Sequence, residues 1–278
     1  MGDATLSLST NAFAPDRLDA CLQFAAALGL AGVEVGPRHG EGLHESPDAF
    51  EEARTAFRRL GIRPLSVHAY GKRTAYPLGD VCAFAERLGA GLVVVHCRHE
   101  ALVEEFEAQV AHLTKWHDWC RERDMTLTVE NSSIQPLEPF VRLFEAVPDL
   151  KLTLDVKHAY KPEKLGLTHV DYLRELGDRC ANFHISGIDR SREPLGDGCP
   201  PGNDHVDWAA LAADLARRRY AGLITIELNL PTYLSLEEQE AAYGDLPPAD
   251  DALPTISHRL AKHAVGFFHR VLAPVVRG

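Results

Sequence analysis

Apolar and polar positions along the chain fall into short period-two runs separated by longer runs of helical spacing. Thr5-Leu6-Ser7-Leu8-Ser9 alternates as a strand, and over residues 15–28 the apolar positions return every three or four residues, as on one face of a helix. Gly32-Val33-Glu34-Val35 is a second strand. Residues 48–60 form a polar-faced helix, with a cap near Ser46, Pro47 in its first turn and Gly61 at its end. The pattern then repeats: strands over 63–67, 91–96, 126–130, 152–155, 181–184 and 222–227, and helices over 77–88, 100–123, 137–147, 170–176, 207–218 and 254–272. Residues 186–206 are left as one long loop. Strict alternation of strand and helix argues for a parallel sheet, and eight repeats favour its closure into a (β/α)8 TIM barrel. An open doubly wound sheet is the competing architecture. The Gly-x-Gly-x-x-Gly turn that would follow its first strand is absent.

In a closed barrel the C-terminal ends of all strands meet on one face, so residues far apart in sequence become neighbours. His68, His96, Glu130, Asp155, His184 and Glu227 all stand at such ends, with Glu34 more loosely placed. A carboxylate ending so apolar a strand is costly unless something pairs with it. Glu130, Asp155, His184 and Glu227 together make an oxygen and nitrogen donor set suited to one divalent cation. His158 lies past its strand in the following loop, where orienting a ligand, holding substrate and adding a ligand are all open to it. His39 and His44 are placed in a solvated glycine-rich loop after the second strand. The remaining histidines lack ligand spacing and are read as structural. Trp116 and Trp119 are at helical spacing and read as packing, whereas Phe13, Tyr70 and Trp208 are candidates for pocket walls.

Composition narrows the function. No Pro/Gly/Ser-rich linker divides the 278 residues, so residues 1–278 are read as one domain. The net charge of −11 counts against a nucleic-acid partner, which needs a positive surface to neutralise phosphates. Six scattered cysteines without a Cys-x-x-Cys read as free thiols of a reducing cytosol. Nothing approaches the run of about 18 apolar residues that a membrane span requires, and no basic region leads into an apolar N-terminal segment. Met1-Gly2 begins as a myristoylation signal does, but position six holds Leu6 rather than Ser or Thr. A cytoplasmic location is expected.

Val129-Glu130-Asn131, Leu154-Asp155-x-x-His158-Ala159, Asn182-Phe183-His184-Ile185-Ser186 and Ile226-Glu227 together resemble the xylose-isomerase-like TIM-barrel superfamily of sugar isomerases, epimerases and apurinic-site endonucleases. The resemblance covers nearly the whole chain. In its ketose 3-epimerases the positions matching Glu130, Asp155, His184 and Glu227 bind Mn²⁺ or a similar ion, so the resemblance implies one divalent metal, with Zn²⁺, Co²⁺ and Mg²⁺ as alternatives. It further implies proton transfer by Glu130 and Glu227 through an enediolate next to a polarised carbonyl, with His158 and Arg190 holding substrate oxygens and His68 and His96 beside them. Two features depart from the epimerase pattern: Gly187 stands where an acid often follows the seventh-strand histidine, and Pro136 where a further Glu is found, with Glu138 two places on. A dehydratase of inososes would use the same enediolate. The endonuclease branch would place one zinc on His68, His96 and Glu130, a second on the four-residue set, and a third on His158 with an Asp-x-His. For that last element this chain offers Asp197-x-Cys199 or Asp204-His205. The favoured implication is a small sugar or polyol substrate without nucleic acid or membrane partners, and a homo-oligomer is left open.

Overall fold

The computed structural model describes residues 4–13, 17–69, 77–97, 102–131, 137–160, 166–189, 196–199, 201–202, 204–228 and 256–272. Its strands are β1 (Thr5–Ser9), β2 (Gly32–Val35), β3 (Arg63–His68), β4 (Leu92–His96), β5 (Thr126–Glu130), β6 (Lys151–Asp155), β7 (Cys180–Ile185), β8 (Gly187–Asp189), β9 (Gly196–Cys199) and β10 (Leu223–Ile226). Eight of these close a parallel barrel in the order β1-β10-β7-β6-β5-β4-β3-β2, and β8 and β9 pair separately as a short antiparallel sheet. The (β/α)8 barrel expected from the alternation is therefore the fold.

Period-two alternation explains why the sheet closes as it does. Leu8, Val33, Val67, Val93, Leu127, Val129, Leu152, Leu154, Phe183, Ile224 and Ile226 are buried in one apolar core with the helices. The alternate positions are polar and bond to one another across neighbouring strands. Ser7 Oγ lies 2.8 Å from Thr225 Oγ1, Thr225 Oγ1 donates to Asn182 Oδ1 at 3.1 Å, and Thr128 and Thr153 hydroxyls meet at 2.7 Å. All five side chains are fully buried. The barrel interior thus carries a layer of paired hydroxyl groups and the Asn182 carbonyl oxygen beneath the rim of acids and imidazoles.

Helices cover the outside: α1 (Leu18–Ala27), α2 (Pro37–Glu45), α3 (Pro47–Leu60), α4 (Leu78–Leu88), α5 (Phe106–Arg121), α6 (Leu137–Ala146), α7 (Val156–Ala159), α8 (His169–Leu176), α9 (Trp208–Arg218) and α10 (Ile256–Val271). The expected start of α3 is present, with Ser46 Oγ accepting from the Ala49 amide at 3.3 Å and Pro47 at the first position; Gly61 ends the helix at a φ of 66°. No helix among the described residues is long and apolar enough to cross a membrane. All six cysteines are thiols.

Three local expectations are corrected. The segment holding His39 and His44 is helix α2 rather than a loop, and His39 is buried in it. Pro37 at its first position and packing against α3 and β3 outweigh the poor helix propensity of Gly40 and Gly42. The segment read as one loop over 186–206 contains β8 and β9. Trp208 and Phe13 are core residues instead of pocket walls: Trp208 packs on Phe267 and Phe268 with ring centroids 5.4 and 5.6 Å away, and Phe13 on Phe24 at 6.0 Å. Trp116 and Trp119 pack as expected, 6.0 Å apart edge to face. Tyr70 lies outside the described residues.

Candidate metal centre

Parallel pairing fixes which rim residues become neighbours. In register, Glu34 lies beside Ser9 and Ser66, Glu130 beside His96, and Asp155 beside His184. Neighbouring strands in a sheet lie about 4.8 Å apart, so closure brings these side chains within ligand distance of one another. Asn131 fixes the floor of the site: its Oδ1 accepts from the Asp155 amide at 2.7 Å and its Nδ2 donates to the Asp155 carbonyl at 3.0 Å. On the far side Asn11 Nδ2 donates to Glu227 Oε1 at 3.4 Å. A side chain at Gly36 would place its Cβ 2.3 Å from the Asn11 amide, so this contact requires glycine there.

One ligand atom each from Glu130, Asp155, His184 and Glu227 lies within 4.8 Å of the others, and all four residues are buried. His184 sits in the middle. Its Nε2 is 3.0 Å from Glu34 Oε2, while its Nδ1 faces Glu130 Oε1 at 3.5 Å and Glu227 Oε2 at 3.4 Å. Ser66 Oγ donates to the same Glu34 oxygen at 3.0 Å. A second set, His68, His96 and Glu130, shares Glu130 with the first. The two imidazoles stack with centroids 5.0 Å apart, their Nε2 atoms are 2.8 Å from each other, and each Nε2 is 3.2 Å from Glu130 Oε2. His96, with 37% of its side chain exposed, and His158, with 16%, mark the side on which solvent reaches the cluster.

So many buried charges shift one another's protonation. Burial pushes Glu34 up, but His184 and His68 beside it prevail and hold it at about 2. Glu130 and Glu227 are likewise opposed by burial yet lie well below the usual carboxylate range, Glu130 through its imidazoles and Glu227 through Lys157 and His184. Burial raises Asp155 to about 7, Lys157 offsetting part of that rise while Glu130 and Glu227 add to it. His68 and His184 are raised well above their ordinary value by the carboxylates despite burial, and His96 is lowered chiefly by burial.

The donor set fits a divalent ion. Among the described residues both oxygens of Glu130 and Nδ1 of His184 are buried without a hydrogen bond, although buried polar atoms ordinarily find a partner. A cation among them would satisfy all three. The Glu34–His184 contact is the carboxylate–imidazole arrangement that fixes a ligating histidine's tautomer, leaving Nδ1 as the donor.

The structure brings together Glu130, Asp155, His184, Glu227, His68 and His96. His158 joins them from α7, a single helical turn and not a loop: Asp155 Oδ1 caps it by accepting the His158 amide at 3.2 Å, and His158 Nε2 is 3.4 Å from Asp155 Oδ2 and 3.7 Å from Glu130 Oε1. Arg190 lies outside the described residues. Glu34, only loosely placed by the sequence, is fully buried at the centre. Lys157 joins the cluster although its place after a strand gives it no expected role there. Its ammonium contacts Asp155 Oδ2 and lies 3.0 Å from Glu227 Oε2, and the residue is 1% exposed. Its signal was a lysine inside an apolar run, with Val156 and Ala159 on either side of the Lys157-His158 pair. Asp204, offered for a third zinc, is engaged elsewhere, accepting Trp208 Nε1 at 3.0 Å and the amides of Val206 and Gly202 at 2.7 and 2.8 Å. Glu138 is on the exposed first turn of α6.

Comparison with known proteins agrees with this architecture. The chain is 27% identical over 273 residues to "Uncharacterized protein ML2432" of Mycobacterium leprae (strain TN), covering 84% of this chain and 92% of that one. The crystal structure of the D-allulose 3-epimerase from Methylomonas sp. superposes with a TM-score of 0.69 at 16% identity, over 98% of this chain and 99% of that one. The probable 3-DHS dehydratase AsbF of Bacillus anthracis does so with a TM-score of 0.63 at 16% identity, over 82% and 94%. At such identities the likeness shows a shared fold. The family model described as "Xylose isomerase-like TIM barrel" matches residues 22–247, and with the closed parallel barrel above this places the chain in the xylose isomerase-like TIM-barrel family.

Proposed function

We propose that this protein is a divalent-metal-dependent isomerase or epimerase of a small sugar or polyol ketone, and that Glu130, Asp155, His184 and Glu227 hold the ion. The observation that carries this reading is the buried convergence of those four side chains, with donor atoms of Glu130 and His184 left without a hydrogen bond. A divalent ion bound there supplies a Lewis acid, with Mn²⁺ the favoured species, which polarises a substrate carbonyl and acidifies the adjacent C–H. Glu130 and Glu227 flank His184 Nδ1 from two sides and both stay ionised, so one is a base for that proton while the other returns one. His158, 16% exposed on the solvent side, and Arg190 would hold substrate oxygens, with His96 at the same opening and His68 buried behind it. An epimerase and a dehydratase share the fold, and both reaction types begin with removal of a proton next to a carbonyl.

The test is incubation of metal-loaded protein with a panel of ketoses, ketose phosphates and inososes in D₂O, read by proton NMR. Deuterium incorporation with sugar interconversion supports the reading. Loss of water would make the protein a lyase, and no exchange across the panel with metal bound would defeat the mechanism.

A second reading rests on the His68–His96–Glu130 set, which would give a two-metal centre and with it a phosphodiesterase. The net charge of −11 and the engagement of Asp204 with Trp208 weigh against a nuclease. Two or more zinc ions per chain, with nicking of abasic duplex DNA lost in Glu130→Ala, would favour it instead.

A further inference from the structure

The four candidate ligands are unequally engaged. Both oxygens of Glu130 and Nδ1 of His184 are free of hydrogen bonds among the described residues, whereas Asp155 and Glu227 are bridged by the Lys157 ammonium. Lys157 is the third residue of Asp155-Val156-Lys157, and the single turn of α7 folds its side chain back onto the acid that caps the turn. It is among the largest fully buried side chains of the protein. A lysine is rarely so enclosed unless paired. Here it pairs with two of the groups a divalent ion would need.

Four carboxylates, Glu34, Glu130, Asp155 and Glu227, are buried together. Without counter-charges their desolvation would oppose folding. Imidazoles face Glu34 and Glu130, and the Lys157 ammonium is the counter-charge that Asp155 and Glu227 share. An ion bound by all four ligands would lie within a few ångströms of it, both cations drawing on the same carboxylates. Two such charges repel strongly in a poorly solvated interior.

We propose that Lys157 is a resident cation that competes with the divalent ion: it bridges Asp155 and Glu227 in the metal-free protein and gives up that bridge on metal binding. This rests on the metal reading above and adds a property of this chain. The metal-free site is held assembled by Lys157, and metal affinity is set below what the four ligands alone would give.

Calorimetric titration of Mn²⁺ and Zn²⁺ into metal-free wild type, Lys157→Met and Lys157→Gln tests this. Both variants should bind at least about tenfold more tightly than wild type, and in the metal-free state both should melt at lower temperature. Unchanged or weaker affinity in folded variants would overturn the proposal while leaving the metal site standing. Absence of binding in wild type and variants alike would overturn both. Should the variants not fold, wild type alone decides. In protein labelled with ¹⁵N-lysine, the buried ammonium is recognised by its slow proton exchange, and its ¹⁵Nζ–¹H signal should shift or vanish on Zn²⁺ loading. A signal indifferent to stoichiometric Zn²⁺ would show that Lys157 keeps its bridge, against the proposal.

Discussion

The two flanks of the candidate centre solve one problem with different chemistry. On the side of β3, β4 and β5, Glu130 meets the imidazoles of His68 and His96 at 3.2 Å, and His158 and His184 reach it from α7 and β7 at 3.7 and 3.5 Å. On the side of β6 and β10, Asp155 and Glu227 share the ammonium of Lys157. An imidazole that gives up its proton can serve as a ligand. An ammonium does not become a ligand so easily, and it acts as a fixed counter-charge. The first flank is therefore arranged to receive a cation, and the second already contains one. Glu130 and Glu227, alike as acids, are tuned by different partners.

The largest effects should follow from breaking that pair of acids. Glu130→Gln and Glu227→Gln should each lower turnover by about 10²–10⁴, the usual contribution of a positioned general acid or base. Metal content by plasma mass spectrometry separates a lost base from a lost ion, and a variant with full activity would remove that residue from the mechanism. Next comes Glu34→Gln, which leaves the contact to His184 Nε2 without its charge. Metal affinity should fall about 10- to 100-fold, as for other outer carboxylates behind a ligating histidine. An unchanged affinity would show that Glu34 does not orient His184. His158→Ala should retain the ion and raise KM roughly tenfold, through loss of a hydrogen bond to substrate; loss of the ion instead would make His158 a ligand.

The smallest effect is a pH dependence. His68 and His184 have folded-state values raised well above 6.5 by the buried carboxylates. Their contribution to the stability of metal-free protein is thus fully present below about 6.5, the unfolded value, and is lost as pH rises through the higher folded value. Melting temperature of metal-free protein should fall on that alkaline side, while metal affinity rises there because His184 must shed its proton to ligate. A melting temperature that climbs with pH over the same interval would contradict the assignment.

The barrel was legible because strand and helix alternate strictly and strands such as β1, β5 and β6 place apolar residues on one face and polar ones on the other, most strands ending near an acid or imidazole. The convergence of the four candidate ligands was legible for the same reason, since a charged residue ending an apolar run needs a partner. Lys157 was not, because a lysine after a strand reads as solvated, and only the fold shows that the turn of α7 returns it to the interior. Helix α2 was hidden by Gly40 and Gly42, whose low propensity is overruled by packing on α3 and β3. The β8–β9 pairing was hidden because Gly187, Gly196 and Gly198 carry little strand preference. Glu34 was underrated because its strand is short, and its partners, Ser66 and His184, lie 32 and 150 residues away.

The measurement that bears most directly on the whole account is the metal content of the purified, metal-loaded protein beside its Asp155→Asn and His184→Ala variants, by plasma mass spectrometry together with thermal unfolding. The account predicts one divalent ion per wild-type chain, a melting temperature raised by the ion, and loss of both in the variants. A wild-type chain that holds no ion and gains no stability from Mn²⁺, Co²⁺, Mg²⁺ or Zn²⁺, or variants that bind as wild type does, would contradict it.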